Sequence, residues 1–230
     1  MSRLAVIVEG PTEEDFVREV LADYLLRYGV YAFPIVIKSP KSKQDNDSPY
    51  DTTHKGGNVT VDRIVRHAWH LMDGFDWVTT LVDFYGFRDR PVDDCDELER
   101  TLLEELQQRT GQPCRNFIPY VQLHEFEALL FADVRAMCRM IPDCTEKQAK
   151  ELEDVGLGFE TPEHINDGPE TAPSKRLEKT FEAQMYDKVS MGPIIAMEVG
   201  METMRAKCPR FNRWIEALAH LVARQGKGGN

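Results

Sequence analysis

The chain has little positive charge for its size. It carries 28 Lys and Arg residues against 39 Asp and Glu residues, which gives a formal net charge of −11 at pH 7. Proteins that bind nucleic acid through bulk electrostatics rely on Lys and Arg to displace the counterions of the phosphate backbone. The composition excludes that mode over the surface as a whole, so any contact with nucleic acid requires a local basic patch or a partner protein.

Long apolar runs and closely paired cysteines are also missing. No apolar stretch approaches the ~20 residues that span a bilayer, and the N-terminus lacks the basic and apolar regions of a signal peptide. We therefore expect a cytoplasmic protein with no membrane partner. The cysteines form no Cys-x-x-Cys pair, so we predict thiols rather than a disulfide framework or a structural zinc site. These are Cys95, Cys114, Cys138, Cys144 and Cys208.

Strand and helix patterns alternate over the first part of the chain. A hydrophobic fraction of 42% in 230 residues is ordinary for a globular protein with one sizeable core. Four strand patterns, at residues 3–8, 31–37, 77–82 and 116–123, have helical patterns between them. This alternation predicts an α/β fold with a mainly parallel sheet flanked by helices. We predict an α/β domain over residues 1–135, with a helical C-terminal extension over residues 136–230 packed on it.

A polar segment, residues 38–58, follows the second strand pattern. Loops of this length are uncommon unless they are lids, binding loops or disordered connections, so a mobile flap and a solvated loop both fit the pattern. Within the segment, the run Lys55-Gly56-Gly57-Asn58 has the glycines that let backbone N–H groups approach a phosphate. Lys55 is therefore a candidate substrate-binding residue, although a flexible surface turn is the simpler interpretation.

Two strand patterns end in a carboxylate. Glu9 follows one apolar run and Asp83 follows another. Ligands of open α/β sheets bind outside the carboxyl ends of the strands, so we expect both side chains at one edge. At ~4 Å and an effective dielectric of ~20, two carboxylates repel by roughly 4 kcal/mol, which favours a shared proton or a cation. Mg²⁺ suits such oxygen ligands. Taken alone, each carboxylate is also typical of a turn or of the start of a helix. Thr12 and Asp15, which follow Glu9, have nearly the spacing of a capping box at such a helix start.

These residues resemble a known superfamily. The pattern Val8-Glu9-Gly10-x-Thr12-Glu13, followed by a strand that ends in Asp83, is similar to the Toprim superfamily of topoisomerases, primases, and OLD-family and RloB-like nucleases. Two longer motifs resemble more specifically a bacterial domain family of unknown function within that superfamily. They read Leu123-His124-Glu125-Phe126-Glu127-Ala128-Leu129-Leu130-Phe131 and Ile165-Asn166-Asp167-Gly168-Pro169-Glu170-Thr171-Ala172-Pro173-Ser174-Lys175-Arg176.

The resemblance implies a Toprim-like fold and a Mg²⁺-dependent nuclease, with Mn²⁺ as a substitute, that cleaves DNA or RNA. It implies that Glu9 is a metal ligand or general acid/base, that Asp83 is a metal ligand, and that a partner ATPase acts with the protein in bacterial defence against phage. A homo-oligomer is compatible with this. The second Asp of the Toprim Asp-x-Asp pattern is here Tyr85, and a neutral tyrosine does not replace a carboxylate as a hard anionic ligand. We predict that Glu13 compensates as a ligand or base.

Charged residues of the two longer motifs are further candidates. Glu125 and Glu127 either join the site or form an acidic first helical turn. Residues 166–171 are typical of a turn that leads into a helix. Lys175 and Arg176 come next, and cations beside carboxylates suit a phosphodiester next to a metal ion. The remaining candidates are Asp167 and Glu170.

Two functions remain open from the sequence. The first is a Toprim-like nuclease in which Glu9, Asp83 and Glu13 are the catalytic and metal-binding residues. The alternative is a non-catalytic Toprim-derived module that docks to a partner, with Tyr85 marking a degenerate metal site. The substitution Tyr85→Asp separates them, because a degenerate site should gain metal affinity from it and an intact alternative site should not. A phosphoryl-transfer receiver with Asp83 as acceptor lacks the lysine-bearing strand that it needs.

Overall fold

The computed structural model describes residues 1–37, 59–166, 168, 170–181 and 185–225. Strands and helices alternate over the first part of the chain, as predicted. The elements are β1 (Ser2–Val8), α1 (Pro11–Phe16), a π-helical turn (Val17–Leu21), α2 (Ala22–Leu26), β2 (Val30–Val36), α3 (Val61–Leu71), β3 (Trp77–Asp83), a 3-10 turn (Phe84–Gly86), α4 (Cys95–Thr110), β4 (Phe117–Ile118) and β5 (Val121–Gln122). The predicted loop over residues 38–58 lies outside the described residues.

The strands form one parallel sheet in the order β2-β1-β3-β4, and β5 also pairs with β3. Pro119, which has no N–H to donate, lies between β4 and β5 and interrupts the predicted fourth strand. Thr80 bridges this interruption, because its Oγ1 accepts the Tyr120 N–H and donates to the Tyr120 carbonyl, each at 2.7 Å. The predicted α/β fold with a mainly parallel sheet is confirmed.

The chain after residue 125 is helical, as predicted. Where the pattern predicted one helix over residues 126–140, a 3-10 helix (Phe126–Asp133) precedes α5 (Val134–Met140), which Asp133 caps by accepting the Ala136 N–H at 2.9 Å. In the described ranges, no helix combines the length and the apolar character of a membrane span. The remaining elements are α6 (Glu146–Leu157), a 3-10 turn (Pro162–His164), α7 (Pro173–Thr180), α8 (Lys188–Val199), α9 (Met201–Lys207), α10 (Pro209–Ala219) and α11 (Leu221–Gln225).

Helices cover both faces of the sheet. Alternate residues of β1 point to opposite sides, so Leu4 belongs to one hydrophobic core and Ala5 to the other. The core that contains Ala5 is covered by α3 and α4, for example by Ile64. The core that contains Leu4 includes Phe16 of α1 and Phe211 of α10. The helices after residue 135 therefore share a core with the first strand and helix, and the predicted boundary between residues 135 and 136 stays a prediction.

The cysteines correct one expectation. Cys138 of α5 is joined to Cys144 in a disulfide, with the two Cα atoms 5.5 Å apart. This separation is ordinary for a disulfide, but two cysteines six residues apart match none of the spacings that sequence analysis recognises. Cys95, Cys114 and Cys208 are free and buried, as predicted.

Candidate functional site

Glu9 and Asp83 lie at the same edge of the sheet. Val8 of β1 is opposite Leu81 of β3, so both strands leave the sheet at nearly the same level. A cleft of about 360 Å³ opens at this carboxyl edge. Among the residues that the structure describes, its walls contain four carboxylates and one lysine, which are Glu9, Glu13, Asp83, Glu125 and Lys188.

Gly86 allows Glu9 to occupy its position. A Cβ atom added to Gly86 would lie 3.0 Å from Cδ of Glu9 and would overlap its Oε2. Any larger residue at position 86 must therefore displace the Glu9 carboxylate or the turn after β3. The glycine thus has a steric role at the site, which the sequence pattern did not indicate.

Glu13 is buried and completes the hydrogen bonding at the start of α1. Its Oε2 accepts the N–H of Gly10, the residue before the helix, at 3.1 Å. The helix start is therefore completed by Glu13, whereas Asp15, which has nearly the capping-box spacing, pairs with Arg18 at 2.7 Å. Burial raises the pKa of the Glu13 carboxyl; Lys188 opposes this rise, and Glu9 adds to it.

Asp83 is held between the sheet and the chain that follows β5. Its Oδ1 accepts the N–H of Phe126 at 2.8 Å, and the residue is only 8% exposed. Burial raises the pKa of Asp83 well above its usual value, Glu13 and Glu127 raise it further, and Lys188 opposes them. Asp83 and Glu13 are therefore buried carboxyls whose charges repel, and a proton or a nearby cation would relieve this repulsion.

Lys188 supplies the positive charge of this cluster. It is the first residue of α8, and its Nζ lies 3.0 Å from Oε1 and 3.1 Å from Oε2 of Glu127, whose side chain is fully buried. Burial alone would lower the pKa of Lys188, but Glu127, Asp83 and Glu13 raise it well above its usual value. The side chain is therefore an ammonium that faces the carboxylates.

Glu125 connects the site to the second long motif. It lines the cleft, and its Oε2 accepts the N–H of Ser174, in the first turn of α7, at 2.9 Å. Tyr85 also lines the cleft, and its hydroxyl is hydrogen-bonded to the Asn166 side chain. The two motifs that resembled a family of unknown function thus meet at the cleft.

Residues 8–219 match the model of a family described as "Domain of unknown function (DUF4276)". The chain belongs to this family. The matched range of this DUF4276 protein runs from the end of β1 through α10 and contains every residue that lines the cleft. Membership of a domain family of unknown function is thereby confirmed, and the place of that family in the Toprim superfamily stays a prediction.

Beyond the family, the similarity of this DUF4276 protein to known proteins is weak. No curated protein sequence matches it significantly. A solved structure of the C-terminal region of the Xanthomonas campestris pv. campestris OLD protein is similar, at 15% sequence identity and a TM-score of 0.41, over 97% of each chain. A likeness at this level carries no argument about activity.

The predicted substrate cations lie apart from the cleft wall. Lys175 is paired with Glu178 at 2.6 Å on the surface. Arg176 donates through Nε to the Thr171 carbonyl at 2.6 Å, and its guanidinium lies 5.7 Å from the ring centroid of Phe159. The role of these two residues in substrate binding stays a prediction.

Three other candidates have no assigned role at the site. Glu170 is exposed on the turn before α7. Lys55 and Asp167 lie outside the described residues, so their predicted roles stay predictions. Glu127, by contrast, is buried behind the cleft as the partner of Lys188.

Lys188 was not predicted from the sequence. The residue lies 61 positions after Glu127 and 105 positions after Asp83, and nothing in the local pattern connects it to them. In the structure it lies in the first turn of α8, where the helix dipole disfavours a cation. The carboxylate of Glu127 compensates for this position.

Proposed function

We propose that this protein is a metal-dependent phosphodiesterase that cleaves nucleic acid. The observation that carries the proposal is the composition of the cleft at the carboxyl edge of the sheet, where four carboxylates face one lysine. Burial raises the pKa of Asp83 and Glu13 because it destabilises their charged forms, and a bound cation would stabilise those forms. The resemblance to Toprim nucleases adds the substrate class.

The donor chemistry of the cleft fits Mg²⁺, with Mn²⁺ as a substitute. Mg²⁺ is held by one or two protein carboxylates, and water and substrate phosphates complete its shell. Glu9 and Asp83 would be those ligands, with Glu13 beside them. Among the described residues, no three His, Cys, Asp or Glu side chains form a preassembled metal cage, so this assignment requires ligands from water and substrate.

The chain's own residues would act as follows. A bound ion would polarise the phosphate and supply hydroxide at neutral pH. Lys188 faces the same cleft and would stabilise the negative charge that develops on the phosphate oxygens. Glu13, whose pKa is raised by burial, would exchange a proton with the attacking or leaving oxygen. The N–H of Phe126 holds Asp83 in place during these steps.

Cleavage assays with matched variants test the proposal. Purified protein is incubated with single-stranded and duplex DNA and RNA in Mg²⁺ or Mn²⁺. We expect cleavage that is lost in Glu9→Gln and Asp83→Asn and retained in Glu105→Gln and Asp73→Asn, which change exposed carboxylates away from the cleft. Cleavage by Glu9→Gln at the wild-type rate would overturn the proposal.

The resemblance to Toprim nucleases extends the proposal to the biological setting. We place the protein as the nuclease effector of a bacterial anti-phage defence system, acting with a partner ATPase. The partner would present the nucleic acid, which the net charge of −11 does not favour on its own. An assay with candidate ATPases is therefore the second step when the purified chain binds metal but does not cleave.

A non-catalytic binding module is the second candidate function. Lys188 already neutralises Glu127 at 3.0 Å, and Tyr85 occupies the position of the second Toprim Asp. Isothermal titration of Mn²⁺ and Mg²⁺ separates the two functions. Saturable binding that is lost in the Glu9→Gln/Asp83→Asn double variant supports the enzyme, and no binding to either protein supports the module.

A further inference from the structure

Tyr85 is an aromatic residue placed at the mouth of the acidic cleft. It lines the cleft together with Glu9 and Asp83, and 40% of its surface is exposed. Most large aromatic residues in the described chain are buried in one of the two cores, where packing explains them. Other aromatic residues of the described chain are equally exposed, Tyr31 among them, but Tyr85 is the one that lines the cleft.

Three contacts hold Tyr85 in position. The Tyr85 N–H donates to the His124 carbonyl at 3.3 Å, and the hydroxyl is hydrogen-bonded to Asn166. The ring also packs on the imidazole of His124, with the two centroids 5.2 Å apart and the planes 42° apart. The ring is therefore held in one orientation before any ligand arrives, which lowers the entropy cost of binding.

His124 supports the ring at a cost to its own backbone and side chain. Its φ of 66° lies in the left-handed region, which is unfavourable for residues other than glycine and is concentrated at functional sites. Its Nδ1 is buried and has no hydrogen-bond partner among the described residues. Burial lowers the pKa of the imidazole, which favours its neutral form. The hydrogen bond from Asn166 satisfies the hydroxyl of Tyr85, but it does not explain why His124 packs against the ring.

We propose that Tyr85, supported by His124, is a stacking platform for an unpaired nucleobase next to the phosphate that the cleft binds. This rests on the proposed function and specifies its substrate class as single-stranded nucleic acid, or a strand with an unpaired end. Bases stack on aromatic side chains in a sequence-tolerant way, whereas a base inside a duplex must first be unstacked. Stacking also suits an acidic protein, because it adds affinity without many phosphate contacts.

Binding of short oligonucleotides tests the platform without cleavage. Fluorescently labelled DNA and RNA strands of about ten nucleotides, with phosphorothioate linkages that resist hydrolysis, are titrated by anisotropy. The proteins are wild type, Tyr85→Leu, Tyr85→Phe and Tyr31→Leu. Tyr31 is a matched control, because it is also 40% exposed but lies on the edge strand β2.

We expect Tyr85→Leu to weaken single-strand binding about tenfold, because one stacked base is lost. Tyr85→Phe keeps the ring and its contact with His124 but loses the contact with Asn166, so it should bind more tightly than Tyr85→Leu. Tyr31→Leu should bind as the wild type does. Duplexes of the same sequence should bind at least about tenfold more weakly than single strands to the wild type. Comparison of the DNA and RNA strands identifies which sugar the site accepts. Thermal melting of each variant checks that the fold is intact.

An abasic scan distinguishes a direct contact from a structural role. Removing the base at one position should weaken wild-type binding about tenfold and should not weaken binding to Tyr85→Leu any further. Equal abasic effects in the two proteins, or equal affinity of Tyr85→Leu and Tyr31→Leu, would overturn the platform while leaving the phosphodiesterase proposal intact. A wild type that neither binds nor cleaves any strand, with metal and candidate ATPases present, would overturn both proposals.

Discussion

Replacing Lys188 with methionine tests the charge balance of the cleft. Glu127 is fully buried, and both of its carboxylate oxygens lie within 3.1 Å of Lys188 Nζ. Lys188→Met keeps similar bulk and removes the only positive charge among the described residues that line the cleft. Removing one partner of a buried ion pair costs about 3–5 kcal/mol, because the other charge stays buried without compensation. The Lys188 side chain is 36% exposed, so the low end applies.

We therefore expect a loss of about 3 kcal/mol in the free energy of unfolding at pH 8, which corresponds to about 6–12 °C in Tm. The loss should depend on pH. Burial raises the pKa of Glu127, and Lys188 opposes that rise. In Lys188→Met the pKa of Glu127 in the folded protein moves further above its value in the unfolded chain. The variant therefore loses stability as pH rises from the unfolded pKa through the folded pKa. Urea unfolding should show a clearly smaller difference from the wild type at pH 5.

Two further variants control this experiment. Lys188→Met/Glu127→Gln removes both charges and should recover most of the lost stability. Lys147→Met removes a lysine of α6 that is 86% exposed, and should cost no more than about 1 kcal/mol. Any of three results would refute the charge-balance argument. The loss of stability in Lys188→Met could be as small as that in Lys147→Met, it could be the same at both pH values, or the added substitution Glu127→Gln could fail to relieve it.

Two other substitutions probe the carboxylates directly. Gly86→Ala should lower the cleavage rate about 100-fold by displacing Glu9. Gly156→Ala is the control and should leave the rate unchanged, because a Cβ added there contacts nothing within 4 Å. Equal cleavage rates of the two variants would contradict the steric role of Gly86. Glu13→Gln should stabilise the protein more at pH 8 than at pH 5, because the raised folded pKa of Glu13 makes the wild type lose stability as pH rises above the unfolded value. Urea unfolding with parallel pH profiles of the two proteins would speak against that shift.

The parts of the fold that local chemistry determines could be predicted from the sequence. The pattern placed a helix over residues 95–109, and α4 runs from Cys95 to Thr110, with Asp94 accepting the Glu97 N–H at its start. The meeting of Glu9 and Asp83 follows from the same kind of argument, because parallel strands deliver their carboxyl ends to one edge. The split of the fourth strand was missed, although Pro119 was visible and proline is disfavoured inside a sheet.

The contacts that complete the site depend on tertiary packing, and the sequence gives no rule for them. The contact of Tyr85 with Asn166 joins residues 81 positions apart, and that of Glu125 with Ser174 joins residues 49 apart. The disulfide between Cys138 and Cys144 is closer in sequence, but it requires the turn between α5 and α6 to bring the two residues together. The family resemblance indicated that these motifs matter, and only the structure relates them to the cleft.

The position of Lys188 shows how the C-terminal helices contribute to the site. A Cβ atom added to Gly192 would lie 2.9 Å from Cγ2 of Thr12, so the glycine lets α8 approach α1 closely. Lys188 lies four residues before Gly192, about one helical turn, and this approach brings it over the carboxylates. Ile195 of α8 belongs to the same core as Leu4 of β1. The carboxylates thus come from the first part of the chain and their cation from the second, so the cleft has its balance of charge only when both are folded together.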